Sequence, residues 1–272
     1  MIMNLYEAIK KRRSVRTFDG SPLKDEDLKK LRECFENAEN PYGIKVDFKI
    51  LDAKEEGLSS PVIVGTDTWV AGKTLRQAHA EEAFGYSFER FVLCAETLGI
   101  GTTWIAGTMD RGAFEKAAGL EDGEVMPCVS PIGYPSLKMS LRESIMRKGI
   151  KADSRLERSE LFFTDNFGNS LGSEDSERFG DVFELVRLAP SAVNRQPWRL
   201  VVRNNTVHFY EKSARGYRND SGWDIQKIDM GIAMCHFVLG IEEKGMTALI
   251  SVEDPGIIVP DDTFYIASFS IR

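Results

Sequence analysis

The chain has 272 residues, of which 42% are apolar and 28% are charged, and its formal net charge is −7. This composition is typical of a globular protein that buries a full core, in one large domain or two small ones. The excess of acidic residues argues against a nucleic-acid binder or an anionic-membrane binder, because those proteins present a net basic surface.

The four cysteines lie far apart, and neither a CxxC pair nor a His/Cys cluster occurs. We therefore expect no structural zinc and no catalytic metal. We expect all four to be small core residues in a reducing compartment, and they are Cys34, Cys94, Cys128 and Cys235. The N-terminus lacks an apolar stretch suited to a signal peptide, and no run approaches the ~18 apolar residues that span a bilayer. We therefore expect a cytoplasmic protein.

The first part of the chain predicts helices that alternate with strands. A short amphipathic helix leads into the basic run RRSVR. The segment SPLKDEDLKKLRECFENA predicts a helix with Ser21 as its N-cap, and the strand VDFKIL follows. A long helix then carries an apolar stripe from Phe84 to Ala95 and ends at Gly99, which suits the C′ position. The runs GTTWIAG and PCVSPIG predict strands.

The later part of the chain repeats this order. A helix that ends at Ala189 is followed by the strand QPWRLVV, a long apolar helix, and the strands TALISV and YIASFSI. The stretch FVLGIEEKGM, which begins at Phe237, matches FVLCAETLGI, which begins 146 residues earlier at Phe91. Gly85 and Gly231 are separated by the same 146 residues.

We infer two α+β repeats, residues 1–150 and 155–272, joined by a charged linker. The expected fold class is α+β, with two degenerate repeats that form an intrachain pseudo-dimer around mixed or antiparallel sheets. The two repeats pack intimately in this prediction and can also be counted as one domain.

Two segments carry groups that suit a ligand. The loop in LAPSAVNRQPWRLVV combines Pro, Ser, Asn and Gln in a way that favours a flat polar ligand over a core, but nothing beside it supplies positive charge. The run RRSVR supplies that charge with Arg12, Arg13 and Arg16, whose guanidinium groups suit phosphate. Taken alone, a basic helix end is also favoured by the helix dipole and is most often surface charge.

Together, four motifs resemble the flavin-dependent nitroreductase family, in particular its single-chain, tandem-repeat members. They are RRSVR, GIGTTWIAG, IGYPSLK followed by an arginine, and APSAVNRQPWRLVV. In that family one subunit of a homodimer supplies the Arg-rich motif and its partner supplies the PSxxNxQPW loop around FMN. Here the motifs are divided between the repeats, so the resemblance implies a nitroreductase-like fold with one FMN per chain. The second site has decayed, because only Arg158–Ser159 remains at its Arg-rich position.

The resemblance also implies roles for single residues. Those expected to hold the FMN phosphate and ribityl chain are Arg12, Arg13, Ser14 and Arg16, with Lys138 and Arg142 completing the phosphate site. Those expected to cover the ring edge from the other repeat are Pro190, Ser191, Ala192 and Asn194. The flavin ring is expected to lie beside Thr103, Ile105, Ala106 and Gly107, with the last two backbone amides near its N5 and O4. No side chain is assigned as catalytic, because the flavin carries the chemistry.

The implied activity is ping-pong hydride transfer from NAD(P)H through FMN to a small acceptor, such as a nitroaromatic or a quinone. Two alternatives stay open: a non-catalytic FMN-binding protein, and a branch that fragments flavin or removes halogens reductively. The second alternative needs a lid, for which residues 217–227 are the available segment. The expected partner is a small-molecule acceptor, with no nucleic acid and no membrane, and the chain is either a monomeric pseudo-dimer or a loose homodimer.

Overall fold

A computed structural model describes residues 3–214 and 223–272 of the chain. The chain divides into two compact units: unit 1 comprises Met1–Ala80 and Ser87–Ala152, and unit 2 comprises Glu81–Tyr86 and Asp153–Arg272. Both contain helices and a β-sheet, which confirms the α+β class. The derivation of both units from one duplicated repeat stays a prediction. The first part of the expected lid, residues 217–222, lies outside the described residues.

Unit 1 contains helices and short strands in the predicted order. Its elements are α1 (Leu5–Lys11), α2 (Asp25–Glu36), β1 (Asp47–Asp52), α3 (Ala53–Glu56), β2 (Thr68–Leu75), α4 (Ala80–Thr97), β3 (Gly101–Thr102), α5 (Arg111–Ala118), β4 (Glu124–Val125), β5 (Val129–Gly133) and α6 (Leu141–Gly149). The strands pair antiparallel in the order β1-β2-β5-β3, with β4 beside β2. Of α4, residues 81–86 belong to unit 2.

Aromatic side chains build much of the core of unit 1. The ring of Phe48 on β1 stacks on Phe35 of α2 at a centroid distance of 5.0 Å, and both rings contact Phe91 of α4. On the other side of β2, Trp69 packs edge-on against Phe114 of α5 at 5.0 Å. These contacts fix α2, α4 and α5 against the sheet, because large buried rings contribute much of the apolar area of a core.

A disulfide joins Cys34 of α2 to Cys94 of α4. Cys34 is buried in the core as expected, but the expectation that all four cysteines stay reduced is wrong for this pair. The physical reason is that packing brings two helices, 60 residues apart in sequence, close enough for their sulfur atoms to bond. Cys128 and Cys235 are buried and lie outside the disulfide.

We expect reduction of this disulfide to lower the free energy of unfolding by about 3–4 kcal/mol, because a cross-link between residues 60 apart restricts the unfolded chain. The measurement is urea unfolding with and without dithiothreitol. The double variant Cys34→Ala, Cys94→Ala is the control, and its stability should not respond to the reductant. Equal stability of the oxidised and reduced wild-type protein would contradict the expectation.

Unit 2 combines two long helices with a mixed sheet. Its elements are α7 (Arg158–Leu161), β6 (Phe162–Thr164), α8 (Ser173–Leu188), a 3₁₀ turn (Ala192–Asn194), β7 (Trp198–Arg203), β8 (Thr206–Lys212), α9 (Ile225–Glu243), β9 (Ala248–Ser251) and β10 (Thr263–Ile271). The strand order is β6-β7-β8-β10-β9, with β6 parallel to β7 and the other pairs antiparallel. The rings of Phe209, Phe237 and Phe269 pack together between α9 and the sheet.

On the face of this sheet that points away from α9, polar side chains lie beside aromatic side chains. The ring nitrogen Nδ1 of His208 lies 2.7 Å from Ser268 Oγ, and the hydroxyl of Tyr265 lies 2.8 Å from the same oxygen. Burial, together with the charge of Arg203, lowers the pKa of His208 from 6.5 to about 4, and the charge of Asp254 partly opposes this shift.

We expect this histidine to make unit 2 sensitive to acid. Because the pKa of His208 is lower in the folded state, its contribution to stability is complete above pH 6.5 and is lost as pH falls from 6.5 to about 4. The measurement is urea unfolding as a function of pH for the wild-type protein and His208→Gln. The variant should lose less stability over this pH range, and an identical pH dependence would contradict the assignment.

Two glycines lie where α4 meets α9 within unit 2. A Cβ added to Gly85 would stand 2.1 Å from the carbonyl oxygen of Ile228, and a Cβ added to Gly231 would stand 2.0 Å from the carbonyl oxygen of Glu82. Each contact partner is again 146 residues from its counterpart. The two glycines therefore make reciprocal contacts, each with the backbone of the other helix.

Three local predictions differ from the structure. Helix α2 begins at Asp25 with Lys24 at its N-cap, whereas Ser21 donates its backbone N–H to Asp19 Oδ1 in a turn before the helix. Only Gly101–Thr102 of GTTWIAG forms a strand. The composition of residues 162–177, rich in Gly, Ser, Asn and Asp, predicts a loop, but the first three residues form β6 because they pair with buried β7, and the last five begin α8. Within residues 3–214 and 223–272, every helix is too short or too polar to cross a lipid bilayer.

Candidate functional site

The basic run RRSVR lies along β3 in unit 1. Helix α1 ends at Lys11, and the chain then continues extended, with the N–H of Val15 donating to the carbonyl of Thr102 at 2.8 Å. Gly101 permits this approach, because a Cβ there would stand 2.9 Å from the Val15 side chain. The fold therefore brings two of the four motifs, RRSVR and GIGTTWIAG, side by side.

Two buried carboxylates face the arginines of this run. Arg12, whose side chain is 5% exposed, places its Nε 3.6 Å from Oε1 of the fully buried Glu89. Arg13 places Nη1 3.7 Å from Oε1 of Glu143, whose side chain is 1% exposed. Burial lowers the pKa of the Arg16 guanidinium, and the charge of Glu143 opposes that shift. The Arg12 side chain is therefore buried and the Arg16 side chain largely so, whereas the Arg13 side chain is 37% exposed, and carboxylates lie beside Arg12 and Arg13.

Several nitrogen atoms of these arginines are nevertheless unsatisfied. Among the described residues, Arg12 Nη1, Arg13 Nη1 and Arg16 Nε are buried and have no hydrogen-bond partner. A buried guanidinium N–H without an acceptor costs free energy, so three together indicate a site for an acceptor that the described part of the chain does not provide.

Helix α6 connects the GYPSLK segment to this cluster. Ser140 caps α6 by accepting the N–H of Glu143 at 3.1 Å, and Thr17 donates its hydroxyl to Glu143 Oε2 at 2.8 Å. The N–H of Ser140 in turn donates to the Thr17 hydroxyl at 3.1 Å. The third motif is thereby tied to the residue that follows RRSVR.

The two basic residues expected to complete the phosphate site are placed differently. Lys138 is exposed beside the turn at Ser136. Arg142 is also exposed and donates to the carbonyl oxygen of Pro61. Their roles in binding phosphate stay predictions.

The segment after β3 contains one buried hydroxyl group and an exposed stretch of backbone. The Thr103 N–H donates to Ser130 Oγ at 3.1 Å, and Thr103 Oγ1 is buried without a partner among the described residues. Ile105 exchanges both backbone hydrogen bonds with Val129 at 2.9 Å, and its side chain is in the core. Gly107 is exposed, and no atom lies within 4 Å of a Cβ placed there.

One carboxylate links the two ends of this region. Glu89 accepts the indole N–H of Trp104 at 3.1 Å through Oε2 and faces Arg12 through Oε1. The Trp104 ring also packs on Phe88 at a centroid distance of 4.8 Å. Glu89 therefore positions a residue of RRSVR and a residue of GTTWIAG at the same time.

The PSAVNRQPW loop of unit 2 has a strained backbone. Three residues that are not glycine have positive φ: Val193 at 42°, Asn194 at 59° and Gln196 at 52°. Positive φ is unusual outside glycine and is a true outlier for a β-branched residue such as Val193. Strain of this kind concentrates at functional sites and persists only where surrounding bonds impose it.

Hydrogen bonds hold both ends of this loop. Gln196 is buried, accepts the N–H of Leu156 at 2.9 Å, and donates its own N–H to Ser191 Oγ at 2.9 Å. Asn194 donates from its amide to the carbonyl of Ser154 at 3.0 Å. The N–H of Ala192 donates to both carboxyl oxygens of Asp229 on α9, each at 3.1 Å.

Sequence reasoning missed Glu89, Glu143 and Asp229. Two of them carried a signal, because an acidic residue interrupts an apolar helical pattern: Glu89 follows Phe88 in α4, and Asp229 stands in the run IDMGIAMCHFVLGI. Glu143 occupies the fourth place of S-L-R-E, which is typical of a helix start and says nothing about arginines.

Comparisons with known proteins match the chain to nitroreductases. The family model described as "Putative TM nitroreductase" matches residues 4–241. A crystal structure from Thermotoga maritima, described as a "putative nitroreductase", shares 22% identity, with 99% of this chain and 94% of that chain covered and a TM-score of 0.64. An FMN-dependent nitroreductase from Clostridium difficile shares 18% identity over 49% of this chain and 88% of that chain, with a TM-score of 0.42. No curated protein matches the chain.

The likeness to the Thermotoga structure shows that the fold is shared over nearly the whole chain. The family match over residues 4–241 confirms the resemblance that the four sequence motifs indicated. The chain therefore belongs to the nitroreductase family described as "Putative TM nitroreductase".

Proposed function

We propose that the chain binds one FMN and acts as an NAD(P)H-dependent oxidoreductase on a small acceptor, such as a nitroaromatic or a quinone. The observation that carries this proposal is the set of three buried guanidinium nitrogens that have no hydrogen-bond partner within residues 3–214 and 223–272, Arg12 Nη1, Arg13 Nη1 and Arg16 Nε. A phosphate monoester offers several anionic oxygens to such donors, and guanidinium groups bind phosphate with charge-assisted hydrogen bonds.

The local charge supports an anionic ligand. Glu89 faces Arg12, whereas the charge of Glu143 acts on both Arg13 and Arg16, and Arg147 adds positive charge near Arg16. The influence of Glu143 on the Arg16 pKa opposes burial but does not reverse it. A phosphate at this place would supply negative charge where burial disfavours an uncompensated cation.

The segment after β3 suits the ring end of a flavin. Thr103 Oγ1 is buried without a partner in the described part of the chain, and the space beside Gly107 is open. We propose that the backbone amides of Ala106 and Gly107 donate to the flavin, because small residues permit close approach of the backbone. When bound, FMN supplies the hydride-transfer chemistry, and the residues of the chain bind it, orient it and set the surrounding charge.

The loop of unit 2 belongs to the same proposal. The residues that match the family motif that contacts FMN are Pro190, Ser191, Ala192 and Asn194. The positive φ angles of Val193, Asn194 and Gln196 favour a functional role for the loop. We propose that this loop contacts FMN and that the arginines bind the phosphate of FMN. We further propose that the protein is cytoplasmic and is either a monomeric pseudo-dimer or a loose homodimer.

The test is an anaerobic titration of the FMN-loaded protein with NADH and, separately, with NADPH, followed by the visible absorbance of the flavin. We expect one of the two nucleotides to bleach the flavin and a quinone to restore the absorbance. Stoichiometric FMN that neither nucleotide bleaches would contradict the proposed activity and would favour a non-catalytic flavin-binding protein.

A further inference from the structure

The backbone of the unit 2 loop keeps its strained conformation only if contacts with other residues hold it. Val193, Asn194 and Gln196 all have positive φ, and Val193 is half exposed, so packing of its side chain does not impose its conformation. Such residues return to ordinary conformations unless bonds at both ends of the segment hold them. The question is which contacts supply those bonds.

One end of the segment is fixed by Gln196. Its side chain accepts the N–H of Leu156, and its backbone N–H donates to Ser191 Oγ. Gln196 is 2% exposed, so water does not compete for these bonds. This end of the loop is thereby tied to the chain that precedes α7.

The other end is fixed by Asp229. This side chain lies in the second turn of α9, is 3% exposed, and accepts the N–H of Ala192 with both carboxyl oxygens. Asp229 does not cap its own helix, because Asp224 does so by accepting the N–H of Gln226 at 3.0 Å. A carboxyl buried in an apolar helix and directed at one loop amide has the geometry of a dedicated anchor.

The surroundings of Asp229 favour an uncharged acceptor. Burial raises the pKa of its carboxyl well above the ordinary value, the bond from Ala192 opposes this, and the charges of Glu211 and Asp224 raise it further. A hydrogen bond to Ala192 needs a carbonyl-type oxygen and no charge, so the interaction survives protonation.

We propose that Asp229 is the positioning residue of the PSAVNRQPW loop: as the acceptor for the Ala192 N–H, it holds the loop in its strained, ligand-competent conformation. With Gln196 at the other end, it clamps residues 193–195 between two fixed points. The consequence for FMN rests on the proposed function, whereas the consequence for the loop itself does not.

The test compares two substitutions of nearly equal shape. Asp229→Asn keeps an oxygen acceptor, and Asp229→Leu keeps the branched shape, with larger methyl groups and without an acceptor. Glu242→Gln, an exposed carboxyl-to-amide change on the same helix, is the matched control. The first readout is amide hydrogen exchange of Ala192 in the flavin-free protein, with the amides of β7 and α9 as internal references, and the second is the Kd for FMN.

We expect Asp229→Leu to accelerate exchange at Ala192 by about tenfold to a hundredfold and to raise the Kd for FMN by at least about tenfold, because it leaves that N–H without an acceptor. Asp229→Asn and Glu242→Gln should each stay within about threefold of the wild-type protein in both readouts. Rescue by asparagine separates an acceptor from a charge and from general damage to α9.

The outcomes are distinct. Unchanged exchange at Ala192 in Asp229→Leu would overturn the proposal, and Asp229→Asn as impaired as Asp229→Leu would overturn the role of Asp229 as a hydrogen-bond acceptor. If Asp229→Leu loses protection throughout unit 2, Asp229→Ala replaces it with the same expectations. If the wild-type protein binds no FMN while the exchange pattern holds, the proposed function fails and the anchor role stands.

Discussion

The variants Gly231→Ala and Gly85→Ala should each lose about 3 kcal/mol or more of unfolding free energy. A methyl group at either position would meet a backbone carbonyl oxygen at 2.0–2.1 Å, so α4 and α9 would have to move apart within unit 2. Overpacking of a buried contact commonly costs about 1–3 kcal/mol, and a clash with backbone has no flexible side chain to absorb it. Urea unfolding followed by circular dichroism measures the loss.

Gly112→Ala provides the matched control for these helix glycines. The nearest neighbour of a Cβ at Gly112 in α5 is Asp110 Oδ1 at 3.8 Å, so alanine fits there without a clash. We expect a change of less than about 1 kcal/mol, with alanine favoured by its helix propensity. A loss at Gly231 as small as that at Gly112 would contradict the close crossing of the two helices.

The double variant Arg12→Ala, Arg16→Ala should retain no FMN after purification. Each charge-assisted hydrogen bond contributes about 1.5–3 kcal/mol, so the loss of two weakens binding by at least about a hundredfold. The measurement is the Kd for FMN by fluorescence quenching. Because Arg12→Ala also deprives the buried Glu89 of its ion pair, unfolding is measured in parallel, and Arg16→Ala alone serves as the milder variant.

Two further substitutions show whether the binding site is assigned correctly. Arg158→Ala, at the decayed counterpart of the Arg-rich motif, should leave FMN affinity unchanged. Asn194→Ala should weaken it although the residue belongs to unit 2. Loss of affinity in Arg158→Ala would indicate a second working site, and unchanged affinity in Asn194→Ala would remove the unit 2 loop from the proposal.

Much of the fold could be predicted from local patterns. The apolar stripes of α4 and α9 and the glycines after them, Gly99 and Gly245, correspond to helices that end where the sequence indicates, and both glycines have positive φ. The N-cap of α2 was misplaced because Ser21 follows Asp19, whose side chain captures the Ser21 N–H in a turn before the helix starts. A local hydrogen bond between a side chain and the backbone can delay the start of a helix without changing the apolar periodicity from which the helix is predicted.

Contacts between distant segments could not be predicted in this way. The bond between Cys34 and Cys94 depends on how α2 packs against α4, and spacing alone does not reveal which cysteines meet. The same limit applies to the site. The arginines of RRSVR could be found from their chemistry, but the carboxylates Glu89 and Glu143 meet them only through the tertiary fold.

The most direct measurement is the amount of FMN bound per chain, obtained from the visible spectrum of the purified protein and from quantification of the flavin released on denaturation. We expect about one FMN per chain, because one Arg-rich segment and one PSAVNRQPW loop are intact. No bound flavin after incubation with excess FMN would contradict the proposal that this nitroreductase fold holds a flavin in the present chain.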